Sequence, residues 1–386
     1  MILSTCFIVA VLQAILQYAM GINMTSYERV KNTILHQPAD RVPCDFAAEN
    51  IIWERMKKYF KVDSRDEVLD ILDIDVRSVG PRYIGPELLT DEHGYEEIIV
   101  SGGPRNRKIY NEAGEYTTAI AYHPWGDIEE IGDLEGRTGW DGKMEWWDFS
   151  NIEEDIDRIN ENGRRWIKTH GDPSGLQHLT MWAGDEKFLC DLIADEELAV
   201  AMIEKHNEIR LEHALKTLEA GKGKIHELDG GGDYGSQAGL LISKEMFRKF
   251  FKDLYVKFYR EIRKNFDVEI FFHSCGSIQE LIPELVDVGV TILDPIQVSA
   301  KNMDIEVIKR RFGNQLTFHG GIDVQQVLPY YTIPELRKNV RNSIKVLGEN
   351  GGYILAPTHN IQFDTKIENI IAMYEEAQNR VIAKER

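Results

Sequence analysis

From residue 41 onward, short apolar runs alternate with longer stretches in which apolar residues recur every three or four positions. The first pattern suits buried strands and the second amphipathic helices, and their alternation marks a parallel α/β fold. Eight runs predict strands, at 41–46, 76–81, 165–172, 224–230, 268–273, 290–295, 316–321 and 352–357. Each of the last five is followed by polar or Gly-rich residues and then by a helical stretch, at 244–265, 278–286, 303–311, 333–347 and 367–383. Eight strands with crossover helices predict one (β/α)8 TIM barrel over residues 24–386, and a doubly wound open sheet is the alternative.

Two segments break this rhythm. Residues 1–23 carry no charge, and Phe7-Ile8-Val9-Ala10-Val11-Leu12 has the look of a signal core. A basic flank is missing, and Gln13 and Gln17 interrupt a run too short to span a bilayer. Met24-Thr25-Ser26-Tyr27-Glu28 then opens an N-terminal helix, with Thr25 and Glu28 at capping-box spacing. Met24 is therefore the expected natural start, and 1–23 an apolar leader or upstream extension; a secretion signal is the competing reading. The second break, about 83–151, follows the second strand and contains the hairpin signals Asp91-Glu92-His93-Gly94 and Asn111-Glu112-Ala113-Gly114. It predicts a hairpin-rich insertion over the barrel mouth. Its tryptophans, Trp125, Trp140, Trp146 and Trp147, suit either a flat substrate or packing of the insertion onto the barrel.

Composition narrows the partners more than the fold. The chain is 43 % hydrophobic and 28 % charged, ordinary globular values. A formal net charge of −19 excludes a general nucleic-acid binder and disfavours docking on an anionic membrane. Cys6, Cys44, Cys190 and Cys275 are scattered, without the spacing of a disulfide scaffold or zinc ribbon, so a reducing, cytoplasmic location is expected.

Unusual residues gather at the predicted strand ends, where barrels place their chemistry. The fourth strand ends in Asp229-Gly-Gly-Gly-Asp233-Tyr234-Gly-Ser-Gln237, and the fifth in His273-Ser-Cys275-Gly276. The sixth ends in Asp294-Pro-Ile-Gln297, the seventh in His319-Gly-Gly-Ile-Asp323, and the eighth in Thr358-His359-Asn360. His273 and Cys275 are two apart on a strand, so both side chains leave one face. Imidazole and thiolate suit zinc, with His359 the best candidate for a third ligand. The competing reading is a buried Cys beside a hydrogen-bonded His; the strand-end position and Gly276 favour the metal.

Gly230–Gly235 formally matches G-x-G-x-x-G, but Ser236–Leu241 intervenes before a helix and the next strand ends in His273, so a dinucleotide site is rejected. The glycines instead free a turn that presents Asp233, Tyr234 and Gln237, or form a plain structural turn. His319-Gly320-Gly321 has the composition of a phosphate-binding loop. Asp294 and Asp323 have a second reading as turn and helix caps. His170 and His178 are weaker candidates at the third strand's end. His36, His93, His206 and His213 are placed on surface helices or loops, without a role.

Arg41-Val42-Pro43 after an N-terminal helix, the Gly-Asp-Tyr-Gly-Ser-Gln loop, His-Ser-Cys-Gly-Ser-Ile and His-Gly-Gly-Ile-Asp together resemble the uroporphyrinogen decarboxylase superfamily, from about Thr25 to the C-terminus. The resemblance implies a (β/α)8 barrel and one of two activities, decarboxylation in the haem pathway or zinc-dependent methyl transfer with methyl-corrinoid proteins. The decarboxylase branch carries an Arg-Gln-Ala-Gly-Arg segment after the first strand. Here Asp45-Phe46-Ala47-Ala48-Glu49-Asn50 stands in its place, offering acid where substrate carboxylates need base. The methyltransferase branch implies His-x-Cys and a later Cys as zinc ligands. His273 and Cys275 match; no cysteine follows Cys275, and His359 stands near the expected position. A neutral imidazole in place of a thiolate leaves the site one unit more positive, a stronger Lewis acid suited to an ether oxygen or its leaving phenolate.

The expected function is therefore zinc-dependent transfer of a methyl group between a small methylated or methoxylated molecule and a corrinoid (cobalamin) held by a partner protein. Asp233, Tyr234 and His319 are the catalytic candidates, and Gln237, Asp229, Gln297 and Asp323 the substrate-binding ones. The chain lacks an Asp-x-His-x-x-Gly cobalamin segment, so the corrinoid would come on another chain. The resemblance leaves room for a homodimer. The alternatives are a decarboxylase or lyase on another acid, and a non-catalytic barrel that binds a tetrapyrrole or corrinoid.

Overall fold

A computed structural model describes residues 24–112, 114, 116–160 and 164–382. Seven parallel strands form one sheet in chain order: β1 (Val76–Val79), β2 (Trp166–His170), β3 (Glu227–Asp229), β4 (Glu269–His273), β5 (Ile292–Ile296), β6 (Thr317–Ile322) and β7 (Tyr353–Pro357). Apart from half-buried Val79, their Val, Ile, Leu and Phe positions are buried, as expected of parallel strands covered by helices. Among the covering helices are Asp253–Asn265, Ile282–Val288, Ile305–Phe312, Ile333–Leu347 and Ile367–Gln378. The helix expected over 244–265 is continuous in direction but carries a π-helical turn at Arg248–Lys252, which buries Phe250 and Phe251 side by side.

The run at 41–46 is not a strand of the sheet but an extended segment with a single bridge, Cys44 to Leu355. Pro43 has no N–H to donate, which shortens the ladder this segment can form. It nevertheless joins the two edges of the sheet. Leu355 N donates to Pro43 O at 2.9 Å, Asp45 N to Leu355 O at 3.0 Å, and Asp75 N to Cys44 O at 3.0 Å. A buried ion cluster fixes the join: Asp75 accepts from Arg29 at 2.5 Å, Arg41 at 2.7 Å and Cys44 N at 2.8 Å. The curled, edge-joined parallel sheet is that of a TIM-like barrel, not of an open doubly wound sheet. The helix Ser26–Ile34 begins at Thr25 with its capping box to Glu28 formed. The leader, 1–23, lies outside the described residues.

Between β1 and β2 the chain forms a three-stranded antiparallel sheet (Glu96–Glu97, Arg105–Tyr110, Tyr116–Tyr122), and Arg82–Tyr83 pairs with Trp147–Asp148. Trp140 packs on His178, Trp182 and His206, Trp125 packs on His206, and Trp147 packs on His213. These contacts cover the helices Glu196–His206 and Arg210–Ala220. His206 and His213, expected at the surface, are accordingly buried. The covering surface comes from residues far away in sequence, so helical periodicity alone could not reveal it.

Candidate metal centre

His273 is the last residue of β4, and its in-register partner on β5 is Asp294. Partners on neighbouring parallel strands point the same way, which brings Asp294 Oδ2 to 2.5 Å from His273 Nδ1. This bond orients the ring and leaves Nε2 toward Cys275 Sγ, 3.4 Å away. His359, after β7, completes a group whose ligand atoms all lie within 4.8 Å of one another. Zinc bonds of about 2.0 Å to nitrogen and about 2.3 Å to sulfur put tetrahedral N and S donors about 3.5 Å apart. The His273–Cys275 spacing fits that geometry. His359 reaches solvent at the rim, yet lost hydration inside the mouth and then nearby His273 lower its pKa, favouring the neutral form a metal needs.

Glycines allow two loops to meet here. Gly231 has φ +129°, and a Cβ there would lie 2.3 Å from His273 O. A Cβ on Gly235 would lie 2.6 Å from Cys275 O. This close approach sets Asp233 beside the trio: its Oδ1 accepts from Cys275 N at 2.7 Å and lies 3.6 Å from His273 Nε2, while Gln177 Nε2 donates to Oδ2 at 3.1 Å. Gln297 Oε1 accepts from Gly276 N at 2.6 Å and holds the turn from its other side.

Beneath the trio runs a chain of buried charges. His319 places Nδ1 2.5 Å from Asp294 and Nε2 3.2 Å from Asp45. Lys168 Nζ lies 3.0 Å from Asp45 and 3.1 Å from Asp229. Burial opposes charge on His319, but Asp294 and Asp45 outweigh it and raise the imidazole to about 9. Burial likewise opposes ionisation of Asp294, and His319 with His273 overcomes it, holding the carboxyl below its usual range. Sequence reasoning missed Lys168, Asp45 as a site residue, and Glu227. The available signal was the one Lys inside the strand Trp166–His170; Glu227 shares its short strand with Asp229, and Asp45 lies in the extended segment before the sheet.

Glu227 is the in-register partner of Lys168 and accepts from Trp166 Nε1 at 2.7 Å. Burial raises its carboxyl to about 7, against the opposing pull of Lys168. With the folded value above the unfolded one, its stabilising contribution is complete below about 4.5 and is lost as pH rises through about 7. Glu227→Gln keeps the neutral shape and removes that loss. In urea unfolding, its advantage over wild type should be about 2 kcal/mol greater at about pH 8 than at about pH 5.

Other sequence-derived candidates fall elsewhere. Tyr234 is fully buried, packed on Phe247, Phe251 and Phe272, with its hydroxyl 3.3 Å from Tyr255 Oη. It faces the aromatic layer behind the sheet, because the glycine-rich turn does not keep strand alternation. Asp323 caps the following turn, accepting from Gln326 N at 2.7 Å. Gly320 and Gly321 lie inside β6, in register with Leu355 and Ala356, so the sheet engages the backbone expected to hold a phosphate. His178 is buried and accepts from Gly175 N, and His170 sits 3.5 Å from Asp172, both outside the trio.

A cavity of about 510 Å³ opens beside Cys275 and His359, lined also by Gln237, Gln297, Gln325, Thr358, Gln362 and Asp364. None of the four insertion tryptophans lines it. They pack the insertion instead. Cys44, Cys190 and Cys275 are free thiols, and among the described residues no helix is long and apolar enough to cross a membrane.

No curated protein matches the sequence. A methyltransferase from Methanosarcina mazei has a similar structure, with a TM-score of 0.65 and 16 % identity over 92 % of this chain and 99 % of that one. At that identity the likeness concerns the fold. The uroporphyrinogen decarboxylase (URO-D) family model matches residues 180–380, more than half of the chain. That span includes the Asp233 loop, all three members of the trio, Asp294 and His319, and the chain that positions them belongs to the uroporphyrinogen decarboxylase (URO-D) family.

Proposed function

We propose that the protein is a zinc-dependent methyltransferase, moving a methyl group between a small methylated, methoxylated substrate and a corrinoid carried by a partner protein. The observation that carries this reading is the His273–Cys275–His359 trio beside the cavity. The methyltransferase of similar fold adds to it. A decarboxylase of a multiply carboxylated substrate would need cations, and among the described residues the cavity lining has neither Lys nor Arg.

His273, Cys275 and His359 would hold the zinc, which supplies a Lewis acid for the heteroatom bearing the methyl group. Asp294 fixes the His273 tautomer and shares its charge with His319, so the ring presents Nε2. Asp233 holds the Cys275 backbone and stands beside the trio to accept or return a proton of the substrate. Gln237 and Gln297 orient the substrate at the cavity wall. Asp229 supports the site through Lys168, at one remove from the cavity.

The test is methyl transfer from a methoxylated arene to free cob(I)alamin, followed by absorbance. Zinc-loaded protein should form methylcobalamin, and protein stripped of zinc by a chelator should not. Equal rates from both would sink the mechanism.

A further inference from the structure

We infer that the cavity selects substrates without an anionic group, and that an uncharged methoxylated ring with hydrogen-bonding substituents is the class it fits. The methoxy group rests on the methyl-transfer reading above; the charge selectivity rests on the cavity itself.

Among the described residues, the lining holds Cys275 and His359 of the trio and one formally charged side chain, Asp364 at the exposed rim. Further carboxylates stand close behind. Asp233 is 3.6 Å from His273 Nε2, Asp294 is 2.5 Å from Nδ1, and Glu49 is 3.5 Å from Gln362 Nε2. Nearby cations are already engaged: Lys168 by Asp45 and Asp229, His319 by Asp294 and Asp45, and Arg55, outside the lining, by the carbonyl of Phe363. Lys301 meets Gln237 O through its backbone N–H, but it is not part of the lining. An incoming carboxylate would lose hydration and find no side-chain cation to replace it. Zinc with one thiolate would leave a single positive charge, which Asp233 offsets from beside the trio.

The polar lining is neutral instead, and its hydrogen-bond inventory is uneven in a useful way. Gln297 uses Oε1 on Gly276 N, which leaves its amide N–H groups. Gln325 uses Oε1 on Gln237 Nε2 and Ser299 Oγ, which again leaves N–H donors. Gln237 keeps its Oε1, and Gln362, whose Nε2 serves Asn360 O and Glu49, keeps its own Oε1. The cavity thus offers amide donors and amide acceptors together, the complement of hydroxyl, carbonyl and ether groups. Its volume of about 510 Å³ suits one substituted ring.

The test compares 2-methoxyphenol with 2-methoxybenzoate, binding to the zinc-loaded full chain by titration calorimetry near neutral pH and low salt. The phenol should bind about tenfold more tightly or better, a gap that added salt narrows. Asp364→Arg, and separately Gln325→Lys, should each shift the preference toward the benzoate; both positions are exposed. Equal or tighter binding of the benzoate by wild type, or binding of neither compound, overturns the inference. Preferred binding of the phenol without methyl transfer from it leaves the selectivity standing and defeats the methyl-transfer reading. Preferred methyl transfer from the benzoate does the reverse.

Discussion

Cys275→Ser is expected to leave a folded barrel that no longer retains zinc. The thiolate is the only anionic donor in the trio, and a serine hydroxyl does not ionise near neutral pH to replace it. The loss should exceed the about 10–100-fold reduction in affinity typical of removing a supporting residue behind a metal ligand. Folding should be largely spared. The bond from Asp233 reaches the backbone N–H of residue 275, and the side chain there is only partly buried. His359→Ala should weaken zinc binding, whereas His359→Cys should retain zinc and lower the charge of the site by one. That second variant should lose activity on an oxygen-bound methyl group and gain it toward a thiol. Elemental analysis after dialysis separates Cys275→Ser and His359→Ala from wild type, and methyl-transfer assays with an oxygen-bound and a sulfur-bound methyl group separate His359→Cys.

Asp294→Asn should damage the same site from behind. One carboxylate serves His273 and His319 at 2.5 Å each, and an asparagine can accept from only one ring while presenting N–H to the other. Zinc affinity should fall about 10–100-fold. The variant also has a signature that a general loss of packing would not give. In wild type the His319 pKa is raised to about 9, so its stabilising contribution is complete below about 6.5 and is lost as pH rises through about 9. Removing the Asp294 charge should lower the His319 midpoint by one unit or more, about the size expected for a nearby opposite charge. An NMR titration of His319 reads this directly. An unchanged midpoint would show that Asp294 does not govern the ring.

The legible part of the molecule was the part specified locally. Strand alternation pointed to His273 and Cys275 together; the strand ends at His273 and Cys275 lies just past it, yet its Sγ comes within 3.4 Å of His273 Nε2, with Gly276 marking the turn that follows. Helices such as Ile333–Leu347 carried enough amphipathic turns to be read directly. Tyr234 was misplaced because alternation does not hold through Gly230–Gly235, where close backbone contact with residues 273–276 sets the direction of each side chain. Lys168, Asp45 and Glu227 escaped notice because the partners of each lie on other strands or segments. His206 and His213 look like surface residues until the distant tryptophans are laid over them. The segment at 41–46 read as a strand from its composition, yet Pro43 and a single bridge give it another role, joining the sheet's edges.

The most direct test of the zinc centre is X-ray absorption of purified wild-type protein after zinc reconstitution and dialysis. The expected result is about one zinc per chain, with one sulfur neighbour near 2.3 Å and nitrogen or oxygen neighbours near 2.0 Å. A protein that retains no zinc, or holds zinc without a sulfur neighbour, would contradict the assignment of His273, Cys275 and His359 and the methyl-transfer mechanism built on them.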